Sequence, residues 1–398
     1  MMSRAFFLFG KYINTEYPRK YLVIPNERSI FAPIFNRIMK MRFWQRNIIT
    51  VGIGNLWILL LCMALPSCLL LSCFLCSSCT GSSPHPGNTV RSVYYWSTTF
   101  RIDHAKACFI RTHHIRRIYL RYFDVVDAQT DAGSTMGSAT PDATVDFELS
   151  DASVDSCRAM HVDIIPVVFI VNSCFRSPQP QLAALVFRRI RQMSATNAVA
   201  PVREIQIDCD WTKSTQSAYF SFLSELRQLA HAQHIRLSTP IRLHQLSMPV
   251  PPIDRGALMV YNTGDITDLN CRKPILDLRD VKPYLRYLPQ YKLPLATAYP
   301  VFRMQLLARR GRFLGLIRQK DEWPIDRAHD SVITRQPEWS DLRDTQQAIE
   351  ENINNQYTGT SREVILYDLS PYMLNHFKPQ DYEEIYCRRT TGRSLSAR

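Results

Sequence analysis

The chain lacks the short motifs that assign a chemistry at once. It has no Gly-x-Ser-x-Gly elbow for a serine hydrolase, no His-Glu-x-x-His helix for zinc, and no Gly-x4-Gly-Lys loop for phosphate. Six of its eleven cysteines (Cys108, Cys157, Cys174, Cys209, Cys271 and Cys387) are scattered without a Cys-x-x-Cys pair or a zinc-type spacing. Neither a dithiol redox motif nor a zinc knuckle is supported, while disulfides among them stay open. His113 and His114 have no third ligand nearby in sequence, so no metal and no cofactor is expected. There is no internal repeat. With 46% hydrophobic and 21% charged residues, the composition is that of a globular chain with a sizeable core.

Charge is also missing over one long stretch: no Asp, Glu, Lys or Arg stands between Arg46 and Arg91. Residues 1–46 before it carry nine Lys and Arg against Glu16 and Glu27, so they supply +7 of the net +13. The excess of positive charge therefore marks a membrane-facing flank rather than a nucleic-acid surface, and no nucleic-acid partner is expected. Residues 47–79 are apolar, end in Cys76-Ser77-Ser78-Cys79, and lead into a polar tether over 80–90. A basic flank, an apolar run and small residues are the anatomy of an export signal. The segment resembles a bacterial lipoprotein signal, with Cys79 the favoured lipidated residue and Cys73 the other choice. Its length also suits an uncleaved membrane anchor. Either reading places the remainder in the cell envelope, outside the cytoplasm, because the positive flank stays inside.

Residues 91–398 alternate β-rich runs with helical stretches. Strands are expected at Val93–Ser97, Arg117–Asp124, Ile164–Val171, Glu204–Asp210, Arg236–Leu243, Ala257–Tyr261, Leu295–Tyr299 and Glu363–Tyr367. Apolar spacings of three and four predict helices over Gln181–Met193 and Ala218–Ala232. The first β–α turn, Ser97-Thr98-Thr99, has no glycine, which argues against a dinucleotide-type open sheet. The expected class is α/β, a (β/α)8 barrel of the triosephosphate-isomerase type. Two insertions break the rhythm. One lies near 127–160, where Asp127–Asp155 has seven acidic residues and no Lys or Arg and reads as a long loop; the other spans 300–362, with helical propensity around Ser340–Asn355.

The fourth expected strand, Glu204-Ile-Gln-Ile-Asp-Cys-Asp-Trp211, carries the chemistry. Side chains alternate along a strand, so Ile205, Ile207 and Cys209 share one face and Gln206, Asp208 and Asp210 the other, the barrel interior. Two neighbouring carboxylates do not both ionise cheaply, and a raised pKa is what a general acid needs. Arg242 on the next strand either pairs with Asp208 or binds substrate, and His244 has the same parity. Asp124, three residues after Arg121, ends the second strand, where an internal ion pair is one outcome. Trp211, Tyr261 and Tyr299, and more weakly Tyr372, offer rings for a sugar face.

These motifs resemble those of family 18 glycoside hydrolases, the chitinase-like barrels. Their fourth strand reads Asp-Gly-apolar-Asp-apolar-Asp-x-Glu, and residues 203–210 lie on it with Asp208 at the last Asp and Asp210 at the catalytic Glu. Met259-Val260-Tyr261-Asn262 is similar to the family's Met-x-Tyr-Asp. The family's Ser-x-Gly-Gly is replaced by Val171-Asn172-Ser173-Cys174, and Tyr367-Asp368-Leu369 stands where a Trp would follow the last strand. Gln-Ile-Asp-x-Asp-Trp and Met-Val-Tyr-Asn-Thr-Gly are also similar to stretches of barrel lipoproteins from Bacteroides-like bacteria. The resemblance implies a glycan partner, Asp210 as acid, Asp208 tuning it, and Tyr261 with Asn262 orienting the sugar. Binding without cleavage and a scaffold role in an envelope complex are the alternatives.

Overall fold

The computed structural model describes residues 89–127, 139–144, 151–177, 179–317, 325–326, 328–353 and 362–387. The basic segment, the apolar segment 47–79, Cys73 and Cys79 lie outside the described residues. No described helix is long and apolar enough to cross a membrane.

Twelve strands are described: β1 (Val90–Tyr95), β2 (Arg117–Asp127), β3 (Ala139–Thr144), β4 (Asp163–Ile170), β5 (Glu204–Asp208), β6 (Arg236–Arg242), β7 (Arg255–Met259), β8 (Leu295–Pro300), β9 (Met304–Arg309), β10 (Arg312–Ile317), β11 (Asp330–Arg335) and β12 (Glu363–Tyr367). Eight of them pair in parallel in the order β1-β12-β8-β7-β6-β5-β4-β2, and β2 returns to β1. The sheet is therefore a closed eight-stranded barrel, and each barrel strand overlaps one expected from the sequence. The described helices are α1 (His104–Thr112), α2 (Asp151–Ala159), α3 (Leu182–Thr196), α4 (Gln216–His231), α5 (Leu278–Leu285), α6 (Trp339–Asn352), α7 (Pro371–His376) and α8 (Pro379–Tyr386).

Both insertions hold more structure than the sequence suggested. The acidic stretch after β2 contains β3, which folds back antiparallel on β2, and then α2. After β8 the chain makes a three-stranded antiparallel sheet, β10-β9-β11, before α6.

Helices α1 to α4 return to the sheet by one device. His114, His161, Ala198 and His234 take φ between +51° and +58°, and the next residue's N–H reaches back five residues, as in Ile115 to Ile110 and Val199 to Ser194. These are Schellman closures, each followed by a buried apolar residue: Ile115, Val162, Val199 and Ile235. No glycine is used at any of the four.

Cross-strand register sorts the strand residues into inward and outward sets. Ser92, Gln206, Ser238 and Glu363 face in, while Ile205, Ile207 and Leu366 pack under the helices. The N-terminal end of the interior is an ionic layer. Glu363 accepts from Arg117 at 2.8 Å, Ser92 at 2.5 Å and Tyr119 at 3.1 Å, and pairs with Arg255. Glu204 lies 3.5 Å from Arg255 and 3.6 Å from Arg236. Buried carboxylates are costly alone, so two acids and three guanidiniums neutralise one another here. None of the six cysteines from Cys108 onward is bridged among the described residues.

Candidate active site at the barrel mouth

At the opposite, C-terminal end of β5 the inward pair is acidic. Asp208 is buried, and Asp210, just past the strand, keeps 24% of its side chain exposed. Arg242, at the end of β6, faces both. Its Nη2 lies 2.7 Å from Asp208 Oδ1 and 2.5 Å from Asp210 Oδ1. The two possibilities left open for Arg242 are thus resolved toward the ion pair, and it spans both acids. Burial pushes Asp210 up, Arg242 pulls it down, and the charge of Asp208 adds to the rise, leaving it at about 6. Burial first, and then a second carboxylate beside the shared guanidinium, hold Asp210 above the ordinary carboxylate range.

Polar and aromatic groups from other strands close around this pair. Tyr261, just past β7, stacks on Tyr367 with centroids 5.2 Å apart and packs edge-on against Phe302. Its hydroxyl and Asn262 Oδ1 are buried without a hydrogen-bond partner among the described residues. Asn262 adopts φ +53°, a conformation that asparagine tolerates better than most residues. Burial raises the phenols of Tyr94, Tyr261 and Tyr367, which stay protonated donors. A register shift in β2 between Arg121 and Phe123 turns both Arg121 and Asp124 inward, although they are three residues apart. Arg121 Nε donates to Asp124 Oδ1 at 2.8 Å, and its guanidinium lies 5.4 Å from the Trp96 ring.

Several expected contacts with a ligand do not hold in this geometry. Gln206 faces inward but is fully buried below the acids, accepting from Tyr94 at 2.8 Å and donating to Ser238 at 3.4 Å. Trp211, 1% exposed, points the other way and packs on Tyr219 and Phe220 of α4, as strand alternation requires of the residue after Asp210. Tyr299 has the outward parity of Leu366, its register partner, and is buried beneath the helices. His244 is not on the strand: β6 ends at Arg242, and His244 sits exposed on the short turn Leu243–Ser247. Asp124 is wholly buried in its pair with Arg121. The Tyr372 ring is flanked by Arg303 and His376 at 4.8 and 4.4 Å, and its hydroxyl donates to Gln336.

Sequence reasoning missed aromatic residues that pack with Tyr261 and Arg121 at the mouth. Trp96 and Tyr367, both partly exposed, lie 5.8 Å apart at adjacent strand ends, and Phe302 packs on Tyr367 at 5.4 Å. The inward parity of Tyr94 and Tyr367 was available as a signal; Phe302 lies beyond β8, where alternation ceases to guide. Asp368 is pushed to about 6 by burial, against a hydrogen bond from Ser370.

No family model matches this chain, and no curated protein matches it. Among solved structures it is similar to the spore cortex-lytic enzyme SleL of Bacillus megaterium, at 11% identity and a TM-score of 0.49, over 76% of this chain and 74% of that one. It is similar to a chitinase of Chromobacterium violaceum at 10% identity and a TM-score of 0.47, over 76% of this chain and 100% of that one. A chitinase of Bacteroides thetaiotaomicron gives 12% identity and a TM-score of 0.47, over 71% and 90%. The likeness is in backbone path alone. The barrel itself is established by its strand pairing.

Proposed function

We propose that the protein acts on a glycan outside the cytoplasm, at the C-terminal mouth of the barrel, with Asp210 protonating the glycosidic oxygen. The observation that carries this is the outer position of Asp210: partly exposed, beside a buried Asp208 that shares the Arg242 guanidinium with it, and raised to about 6. Barrels place their reacting groups at this end. A general acid works best when its pKa lies near the working pH. Tyr261, Asn262 and the partly exposed rings of Trp96 and Tyr367 supply donors, an acceptor and apolar faces for a sugar. A carboxylate nucleophile would have to stand about 5 Å from the acid. Asp124 is held by Arg121 and Asp208 by Arg242, which favours a nucleophile supplied by the substrate.

Purified protein and Asp210→Asn, tested side by side on a glycan panel, decide the matter. Wild-type hydrolysis should fall at least ~100-fold in the variant while affinity persists. Because the acid form is the active one, kcat should decline as pH rises through about 6. Equal turnover by the two proteins removes Asp210 from the mechanism. Binding without cleavage is the second reading, favoured by the 2.5 Å contact of Arg242 with Asp210 and by an acid one methylene shorter than Glu. It predicts glycan affinity with no product. Lipidation at Cys79 is the proposed anchor. Full-length protein should fractionate with membranes, and Cys79→Ser should release it or leave an uncleaved anchor behind.

A further inference from the structure

Gln245 lies on the turn after β6 and is buried. Its Oε1 accepts the backbone N–H of Arg242 at 2.9 Å, and its Nε2 donates to the carbonyl of Trp211 at 3.4 Å. Trp211 is bonded to Asp210. A single amide therefore ties the strand end that carries the guanidinium to the strand end that carries the outer acid. We propose that Gln245 is a positioning residue: it holds Arg242 against Asp208 and Asp210 together, so that the two acids share one cation.

Among the described residues, Arg242 is the cation in contact with both acids. Described groups that interact with the acid pair include Tyr94 from β1, Tyr219 from α4, Tyr261 after β7 and Tyr367 from β12, all phenols raised by burial, and the Cys209 thiol, which burial also raises. His244, lowered by burial and then by Arg242, faces the guanidinium. Arg121 from β2 is engaged by Asp124. Asp208 is the more deeply buried acid and accepts a hydrogen bond from Arg242 at 2.7 Å. With the Gln245 tie removed, the guanidinium is free to settle on Asp208 alone. Asp210 then loses its nearest cation, and its titration moves upward.

The inference rests on the role given to Asp210 above, yet it is measurable with no glycan present. The full chain in detergent, labelled at aspartate carboxyl carbons, is titrated by NMR, with the Asp210 signal identified by its loss in Asp210→Asn. Wild type should show Asp210 titrating well above the ordinary carboxylate range. Gln245→Met, close in volume, should raise that midpoint by about half a pH unit or more. If that variant does not fold, Gln245→Asn, which draws the amide back by one methylene, carries the same expectation. An unchanged midpoint in a folded Gln245 variant overturns the proposal, as does an ordinary Asp210 midpoint in wild type. A shifted midpoint in a protein that cleaves no glycan leaves this inference standing and removes the catalytic reading instead.

Discussion

At the scale of single residues, the outcome turns on how many charges share one buried space. Arg242 contacts Asp208 and Asp210 through the same nitrogen, and each acid has a different exposure. Removing the cation leaves Asp208 buried and uncompensated. Arg242→Met should therefore destabilise the fold by about 3–5 kcal/mol, read as a lower denaturant midpoint. Adding Asp208→Leu to that variant should recover much of the loss, because an apolar pair of similar volume has no desolvation cost to meet. A loss unaffected by the second substitution would place the cost elsewhere. Alternation on Gln206, Asp208 and Asp210 was legible in the sequence because period two is a property of any strand. The identity of their partners was not. That depended on which neighbouring strand brought Arg242 to the same height, and on the inward Tyr94 taking Gln206 out of reach of a ligand.

At the scale of elements, strand and helix bodies were readable from apolar spacing, whereas their ends were not. The helix exits carry His or Ala where glycine would have marked a stop. Ala198 sits at φ +55° at the C-terminal exit of α3, a conformation that costs a residue with a Cβ about 1–2 kcal/mol. Ala198→Gly should stabilise the protein by about 1 kcal/mol, less what the more flexible unfolded chain takes back. An equilibrium denaturation series measures it, and a destabilised variant would contradict the closure described here. The β2 register shift has the same lesson. The internal pair of Arg121 and Asp124 was expected from their charges and is found, but the register shift that brings both ends inward was not readable, since strict alternation places them on opposite faces. His244 failed for the related reason that the strand ended at Arg242, two residues before it.

At the scale of the whole molecule, closure of the cylinder binds the first strand to the last. Glu363 on β12 collects Arg117 from β2, Arg255 from β7 and Ser92 from β1, so one side chain crosslinks four strands inside the barrel. Glu363→Ala should lower stability by about 3 kcal/mol, by leaving the largely buried Arg117 and Arg255 with Glu204 alone as counter-charge. It should do so in a single cooperative transition followed by both circular dichroism and tryptophan fluorescence. Separate transitions from the two signals would argue that the layer does not couple the strands.

The sequence by itself determined the eight strands, their order along the chain, the apolar face of the fourth, and the acidic pair on its other face. All of these follow from local periodicity. The closed barrel was expected from the count of strands and the glycine-free first turn, and the strand pairing bears it out. Tertiary structure alone decided that one guanidinium serves both acids, that Trp211 and Tyr299 belong to the helix-facing core, and that Trp96, Tyr367 and Phe302 pack at the mouth. Those facts depend on the height and rotation of strands distant in sequence, which no local pattern records.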